Sequence, residues 1–270
     1  MNKTKIAWCD YTWNPVSGCT KVSEGCRNCY AASIAKRFWG ERRFSDVICH
    51  EDKLNEPLKV KKPARVFVNS MSDLFHPDVS YDFAIDVFYR MALFNRNTYI
   101  VLTKRPERMI EFFKKWDDAI MVWQSIGRPY FKFPLRNVWL GVSIENQQTA
   151  DERIPLLLQT EAAVRFVSYE PALGPVDFYK ACGLDSHIAP QFSWIKGNGI
   201  DWVIMGCESG PKRRPMSLDW ARSMRDQCQD ANVTFFVIQM EIVGKVVVEP
   251  ELDGKKWLQF PGGKGGMKCV

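Results

Sequence analysis

The fold is decided by residues 137–168, which read NVWLGVSIENQQTADERIPLLLQTEAAVRFVS. The two ends, Asn137–Ser143 and Val164–Ser168, are short runs rich in β-branched and aromatic residues, which is typical of buried strands. The polar segment between them has a helical pattern over Gln147–Leu158. A strand, a helix and a second strand in this order predict a parallel pair joined by a right-handed crossover.

The same alternation continues on both sides of this unit. Further apolar runs predict strands at Arg65–Ser70, Thr98–Thr103, Asp201–Gly206 and Val233–Ile238, with a short strand before them at Lys5–Trp8. Helical patterns lie between them at Tyr81–Asn95, Pro106–Lys115 and Leu218–Ala231. Ser217 is the expected N-cap of the last of these helices.

Six or seven strand–helix units in 270 residues favour a partial or complete parallel (β/α) barrel over a flat dinucleotide-binding sheet. The G-x-G-x-x-G sequence of dinucleotide-binding folds does not follow the first strand. We expect one α/β domain over residues 1–260, with insertions or long loops at 116–136 and 180–200. Residues 261–270 are rich in glycine and are expected to form a flexible tail.

The composition is that of an ordinary soluble globular protein, with 46% hydrophobic and 25% charged residues. No apolar run approaches the roughly 20 residues that a transmembrane helix needs, and the first residues lack the apolar stretch of a secretion signal. We therefore expect a cytoplasmic protein without a membrane partner. The net charge of +6 permits contact with nucleic acid or a phosphorylated substrate.

Three cysteines lie in the segment Gly18–Tyr30, which reads GCTKVSEGCRNCY. Soft thiolates select iron–sulfur clusters or zinc over hard cations. Cys19, Cys26 and Cys29 on one loop can ligate three irons of a 4Fe–4S cluster and leave the fourth iron open to another ligand. A glycine precedes each of the first two cysteines and permits a turn there, and Tyr30 begins a predicted helix.

A structural zinc site is the alternative interpretation of these cysteines. It needs a fourth ligand, for which Cys9, Cys49 and His50 are the candidates. A set of disulfides is not expected, because nine cysteines is an odd number and a chain of this size does not need them.

Polar residues follow nearly all of the predicted strands. The polar strand ends are Asn69–Asp73, Thr103–Pro106, Ser143–Asn146, Ser168–Pro171, Gly206–Gly210 and Gln239. Because the active site of a parallel barrel is built at the carboxyl ends of its strands, we expect a polar cavity beside the cysteine segment.

These motifs together resemble the phage-associated three-cysteine-motif family, catalogued largely as a domain of unknown function. The segments that carry the resemblance are Trp13–Tyr30, Leu102–Arg108, Gly141–Asn146, Ser168–Pro171 and Glu208–Gly210. The resemblance covers roughly residues 5–242, and the family looks like a divergent branch of the radical S-adenosylmethionine enzymes, of the spore photoproduct lyase type. The chain departs from the expected patterns at three points. Six residues instead of three separate Cys19 from Cys26, Cys207 stands where glycine is expected, and Ile238 stands where lysine is expected.

The resemblance implies a radical-SAM-type barrel with two cofactors. A 4Fe–4S cluster would be held by the three cysteines. S-adenosylmethionine would chelate the open iron and give a 5′-deoxyadenosyl radical that abstracts hydrogen from a substrate. Flavodoxin or ferredoxin is the implied kind of electron donor.

The resemblance also implies roles for the polar strand ends. Ser70 and Asp73 would bind the methionine amino group of the cofactor, and the residues that would take its ribose hydroxyls or the same amino group are Ser143, Glu145 and Asn146. Lys104 and Arg105 would bind the methionine carboxylate or a substrate phosphate. Glu170 and Glu208 are acids for a cationic group or for proton transfer. The expected catalytic residues are Lys104, Glu170 and Glu208.

The function expected from the sequence is therefore a radical enzyme that acts on a nucleic-acid base or nucleotide, in DNA modification or repair. Its location would be the host cytoplasm if the chain is phage-encoded. One alternative is a zinc-stabilised protein that binds nucleic acid or a partner without catalysis. Another is a metal-dependent nuclease that uses Asp73, Glu170 and Glu208, which leaves the cysteines unexplained. His76 is expected to cap a turn or face solvent. Trp8, Trp13 and Trp39 are expected to pack in the core, screen the cluster or stack on a base.

Overall fold

The computed structural model describes residues 1–125, 127, 129, 131–183 and 199–262. Its strands are β1 (Asn2–Lys3), β2 (Tyr11–Trp13), β3 (Val16–Ser17), β4 (Ile48–Cys49), β5 (Arg65–Val68), β6 (Thr98–Thr103), β7 (Val138–Ile144), β8 (Val164–Tyr169), β9 (Trp202–Gly206), β10 (Thr234–Ile242), β11 (Lys245–Val248), β12 (Glu251–Leu252) and β13 (Lys255–Lys256). Its helices are α1 (Tyr30–Phe38), α2 (Tyr81–Leu93), α3 (Pro106–Ser125), α4 (Gln147–Leu158), α5 (Phe178–Ala181) and α6 (Leu218–Asp230).

Nine of these strands form one largely parallel sheet in the order β1-β2-β5-β6-β7-β8-β9-β10-β11. From β2 to β10 each strand pairs in parallel with the next. The two outermost strands are antiparallel to their neighbours. This order is compatible with the predicted partial (β/α) barrel. Among the described strands β1 and β11 are the sheet edges, and no pairing closes the sheet.

The sheet has apolar side chains on both faces, because residues alternate between the faces along each strand. Val66 and Val68 of β5 belong to a large core that also contains residues of the helices. Phe67, between them, belongs to a second core together with Trp8 and Trp202. The Trp8 ring lies 4.7 Å from Phe67 on β5 and 6.3 Å from Trp202 on β9. In a flat sheet β5 and β9 would be about 19 Å apart, so the sheet is strongly curved around this second core.

Several predicted element boundaries differ from the structure. Lys5–Trp8 is not a strand. Cys9 N donates to the Ile6 carbonyl at 3.2 Å to close a turn, and the buried Trp8 packs into the second core. The first parallel strand is Tyr11–Trp13, which pairs with β5. Helix α3 continues to Ser125, so part of the predicted insertion at 116–136 is helical.

The helix termini follow from capping side chains. Ser217 is the N-cap of α6 as predicted, and its hydroxyl accepts from Asp219 N at 3.2 Å.

Most of the predicted loop at 180–200 and nearly all of the predicted tail, including Cys269, lie outside the described residues. None of the helices in the described part of the chain has the length and apolar character needed to cross a membrane.

Candidate functional site

A cavity of about 490 Å³ lies at the carboxyl ends of the parallel strands. Cys19, Cys26 and Cys29 all line it, as do most of the polar residues that follow the strands. Of the twelve predicted site residues, all but Glu145 and Asn146 line this cavity. We call residues 18–30 the cysteine loop.

Two glycines fix the path of the cysteine loop. Gly18 has a φ of +98°, and a Cβ there would stand 2.4 Å from the Asp46 carbonyl oxygen. A Cβ on Gly25 would stand 2.4 Å from Glu145 Oε1. Any other residue would therefore push the loop away from its supports. Cys29, the last cysteine of the loop, is the N-cap of α1.

An ion pair between Asp73 and Arg105 supports the first cysteine. Arg105 Nη1 donates to Asp73 Oδ2 at 3.0 Å, and Nη2 donates to the Thr20 carbonyl at 3.0 Å. The same guanidinium lies 3.6 Å from Cys19 Sγ. Asp73 also accepts from Thr103 Oγ1 at 2.8 Å. Both members of the pair are buried. Asp73 neutralises Arg105, and Arg105 bonds to the loop through Thr20.

Glu145 supports the middle of the loop from beneath. It is fully buried and accepts from Ser23 Oγ at 3.0 Å. Lys104 Nζ forms an ion pair with it, and Arg153 Nη1 lies 3.4 Å from Oε2. Burial alone would raise the pKa of Glu145, but these two cations outweigh burial and lower it. Glu145 is therefore ionised at neutral pH and lies under the loop rather than in the cavity.

Glu208 and Arg214 support the third segment of the loop. Glu208 Oε2 accepts from Asn28 Nδ2 at 2.9 Å and from Arg214 N at 2.8 Å. Arg214 Nη2 donates to the Glu24 carbonyl at 2.9 Å. Burial acts to raise the pKa of Glu208, but the bonds from Arg214 and Asn28 lower it overall. The Glu208 carboxylate is thus an anchor for the segment that carries Cys26 and Cys29.

Glu170 differs from these three acids. It follows β8, lines the cavity, and accepts no hydrogen bond from any group in the described part of the chain. Its carboxyl lies against Gly206, where a Cβ would stand 3.2 Å from Glu170 Oε1. Burial raises the pKa of Glu170 to about 7, against a weaker opposing effect of the Lys104 charge. This acid is available for a ligand or a proton.

The other predicted cofactor-binding residues are divided between the cavity and structural contacts. Ser70 and Ser143 line the cavity. Asn146 is instead the N-cap of α4, where its side chain accepts from Thr149 N at 3.1 Å. Ser70 also provides its carbonyl to Tyr30 Oη at 2.6 Å, which ties the start of α1 to the end of β5.

His76 and two of the tryptophans do not face the cavity. His76 is buried, accepts from Asp78 N at 3.1 Å through Nδ1, and contacts Thr20 Oγ1 at 2.8 Å through Nε2. It caps a turn but is not solvent-facing. Trp13 lies in the large core and Trp39 packs on Phe44 at 5.8 Å. Of the three tryptophans, Trp8 lines the cavity.

The cysteines are free thiols around one cavity and are not gathered about a single point. No group of three or more His, Cys, Asp or Glu among the described residues is arranged to hold one metal ion. Burial, followed by the Asp73 charge, raises the pKa of Cys19 to about 11. None of the candidates for a fourth zinc ligand lines the cavity; Cys9 is in the second core, and His50 Nε2 bonds to Ser17 Oγ at 2.7 Å.

Sequence reasoning missed the residues that hold the predicted ones in place. Arg214 lies six positions after Glu208 in a basic run that reads as a solvated surface. Arg153 lies eight positions after Glu145, on the helix that follows it. In both cases the available signal was a basic residue within eight positions of a predicted site acid. Asn69 lies at the end of a strand, but no pattern separated it from its neighbours.

Comparisons with known proteins give a family and a distant fold likeness. No curated protein is similar to the chain. One solved structure, of a mutant spore photoproduct lyase, aligns with 76% of this chain and 57% of its own, at 12% identity and a TM-score of 0.47. The chain thus spans little more than half the length of that structure. A model of proteins of unknown function, DUF5131, matches residues 3–261. The chain belongs to this family, DUF5131.

Proposed function

We propose that the chain is an iron–sulfur enzyme of the radical S-adenosylmethionine type that acts on a nucleic-acid base or nucleotide. The observation that carries this proposal is the composition of the cavity wall. Three thiols of one loop and the polar ends of successive parallel strands line the same cavity. A module that only binds a partner does not need such a wall.

The donor set is chemically suited to a cluster with an open iron. Cys19, Cys26 and Cys29 are free, and thiolates are the usual ligands of such clusters. A structural zinc site needs a fourth ligand; the expected candidates Cys9, Cys49 and His50 do not line the cavity, although Cys207 does. When bound, the cluster and S-adenosylmethionine together supply a 5′-deoxyadenosyl radical for hydrogen abstraction.

The remaining polar groups take their roles from their contacts. Asp73, Arg105, Glu145 and Glu208 are engaged with the cysteine loop, and we assign them to holding it. Ser70 and Ser143 remain to bind polar groups of the cofactor or the substrate, while Lys104 is paired with Glu145. This use of Asp73 and Glu208 also disfavours a nuclease site, because arginines neutralise both carboxylates.

Glu170 is the proposed proton-transfer residue. A group whose pKa is near the working pH is populated in both protonation states and can give or take a proton efficiently. Its carboxyl faces the cavity without a hydrogen-bond donor from the described residues, so a substrate atom can approach it. The positive charge of Lys104 acts to lower the pKa of Glu170, so it favours the ionised form.

The charge distribution favours a phosphorylated substrate. Lys5 and Lys21 are exposed residues of the cavity wall, and neither forms an ion pair within the described part of the chain. The net charge of the chain is +6. Unpaired cations at the opening of a cavity raise the local concentration of anionic ligands.

The test is anaerobic purification with iron and sulfide analysis and an absorption spectrum near 400 nm. We expect about four irons per chain and a reduced EPR signal that changes when S-adenosylmethionine is added. Reduced protein would then be assayed for release of 5′-deoxyadenosine with nucleotides and DNA oligonucleotides. A colourless protein with one tightly bound zinc, unchanged by reconstitution, contradicts the proposal.

A further inference from the structure

Helix α1 exposes an apolar stripe to solvent, on the side where a surface helix normally carries polar residues. Tyr30, Ile34 and Phe38 are spaced four residues apart, so they share one face of the helix. They are 45%, 41% and 68% exposed. The buried residues of the helix are Ala31 and Ala35. A contiguous group of exposed large apolar side chains is typical of a surface that contacts another molecule.

Two cations accompany this stripe in the last turn of the helix. Arg37 lies on the same face, and its guanidinium is 5.1 Å from the centre of the Phe38 ring. Lys36 precedes it and is also exposed. Neither cation forms an ion pair with any residue in the described part of the chain. We call Tyr30, Ile34, Lys36, Arg37 and Phe38 the α1 surface.

Acidic residues do not offset the positive charge of this region. The segment 21–43 contains six cations and two acids, which is a net charge of +4. One of the two acids, Glu24, is already paired with Arg27 and Arg214. A positive surface of this kind attracts anionic ligands.

The α1 surface is continuous with the cavity at Tyr30. This residue lines the cavity, and its hydroxyl donates to the Ser70 carbonyl at 2.6 Å, which fixes the ring at the opening. From Tyr30 to Phe38 the helix rises about 12 Å. A ligand that leaves the cavity beside Tyr30 can therefore follow the helix as far as Phe38.

The chemistry of the α1 surface fits a single strand of nucleic acid better than other occupants. Exposed aromatic rings stack on bases, and unpaired cations contact phosphates. A second copy docked symmetrically would bring Lys36 and Arg37 of both chains together, and like charges repel. A nine-residue helix with three exposed apolar side chains offers little area for insertion into a membrane. An acidic protein would satisfy the cations, but continuity with the cavity favours a ligand that enters it.

We propose that the α1 surface binds a single strand of nucleic acid, with bases stacked on Tyr30 and Phe38 and phosphates at Lys36 and Arg37. The strand continues outward from the nucleotide in the cavity. This assignment rests on the proposed function and narrows its substrate from a nucleotide to a polynucleotide. A duplex does not offer its bases to these rings, because they are stacked inside it.

Fluorescence anisotropy of the full chain, after anaerobic reconstitution, tests the assignment. The probes are a labelled oligothymidylate of about 12 nucleotides, its duplex with oligoadenylate, and unlabelled thymidine monophosphate as a competitor. Phe38→Ala removes the most exposed ring of the α1 surface. Lys36→Gln combined with Arg37→Gln removes its two cations.

Matched control variants lie at the other end of the sheet. Leu58→Ala replaces an exposed apolar residue, and Lys61→Gln combined with Lys62→Gln removes two exposed cations. These residues precede β5 and lie near its amino end, whereas the cavity is at the carboxyl ends of the strands.

We expect F38A to bind the single strand about fivefold more weakly or worse, since loss of a stacked aromatic ring has an effect of that size. K36Q/R37Q should also bind more weakly. It should reduce the slope of log affinity against log salt by about 1.4, because each phosphate contact contributes about 0.7 for single strands. L58A and K61Q/K62Q should change neither quantity, and the duplex should bind more weakly than the single strand.

The assignment is overturned if neither F38A nor K36Q/R37Q changes affinity for the single strand, or if the strand binds no more tightly than thymidine monophosphate. Sedimentation of the DNA-free chain and flotation with phosphatidylserine vesicles test the other occupants. Self-association or vesicle binding that is lost in F38A would also overturn it.

Iron content of the same samples keeps the two proposals apart. A normal cluster with strand binding that the α1 variants do not affect rejects the α1 assignment alone. Absence of iron after reconstitution, with strand binding that still depends on Phe38, rejects the proposed radical chemistry alone.

Discussion

Two sets of acidic residues at and beside the cavity are used in opposite ways. In the first set, Glu145 and Glu208 each bond to the cysteine loop and to a cation, and Asp73 pairs with Arg105, which bonds to the loop. In the second set, Glu170 lines the same cavity and accepts no hydrogen bond from the described residues. Three acids with similar positions after their strands therefore support the loop, while the fourth is free. The difference shows that polarity at a strand end does not by itself identify a ligand-binding residue.

The largest effect expected at the cysteine loop is loss of the proposed metal centre. Cys26→Ser removes one of the three thiolates, so the reconstituted protein should lose most of its iron and its absorption near 400 nm. Cys182→Ser is the matched control, because Cys182 does not line the cavity. Full iron content in C26S would show that this thiol is not a cluster ligand.

The next effect is on stability. Glu145→Gln leaves Lys104 and the buried Arg153 without their shared counter-charge. Removing one partner of a buried ion pair typically costs about 3–5 kcal/mol, so the free energy of unfolding in urea should fall by that order. The exposed Glu41→Gln should change it little. A loss below about 1 kcal/mol in E145Q would mean that this buried ion pair stabilises the fold no more than an exposed ion pair does.

Replacing Glu170 should raise the stability of the fold instead of lowering it, by an amount that depends on pH. Its pKa is raised from 4.5 to about 7, so the folded state prefers the protonated form. The wild type therefore loses stability relative to the unfolded chain as the pH rises from about 4.5 to about 7, and the penalty is constant above that range. Glu170→Gln removes this penalty.

Urea unfolding at pH 5 and pH 8 measures the effect. We expect E170Q to be more stable than the wild type at pH 8, by up to about 3 kcal/mol, and the gain to be much smaller at pH 5. The exposed Glu161→Gln should show no such difference. A difference between E170Q and wild type that does not vary with pH would remove the basis for a proton-transfer role.

The smallest expected effect concerns the rim of the loop. Arg214→Met removes the bonds to Glu24 and Glu208, which should allow the segment with Cys26 and Cys29 to open more often. Iodoacetamide should then alkylate these thiols about fivefold faster in cluster-free protein, for about 1 kcal/mol of lost support. Arg222→Met is the control, since Arg222 pairs with Asp219 and Asp253 away from the loop. Equal rates in R214M and wild type would show that Arg214 does not hold the loop.

Local sequence patterns predicted the centre of the sheet well. The strand at Thr98–Thr103 and the helix at Gln147–Leu158 have the predicted bounds, because strongly periodic segments are decided by their own residues. The prediction at Lys5–Trp8 is wrong because Ile6 and Trp8 are apolar for another reason. They pack as a turn against the second core, and that core forms only when distant strands curve around it.

The location of the site was also predictable from local patterns. The three closely spaced cysteines and the polar strand ends were expected at one cavity, and most of them line it. The support of Cys26 and Cys29 by Arg214 is a contact between Glu24 and a residue 190 positions later, which no local pattern contains. No local pattern indicates either that Asn69 Nδ2 and Trp8 Nε1 are buried without a partner among the described residues.

The long-range supports of the cysteine loop also set an order of events during synthesis. The loop leaves the ribosome first, but its bonds come from Arg105, Glu145 and Glu208 and finally from Arg214. At about 5–20 residues per second, some 190 residues take roughly 10–40 s to add. The three thiols therefore lie in an incompletely supported segment throughout that interval. Insertion of the proposed iron–sulfur cluster would follow translation of β9 and of Arg214.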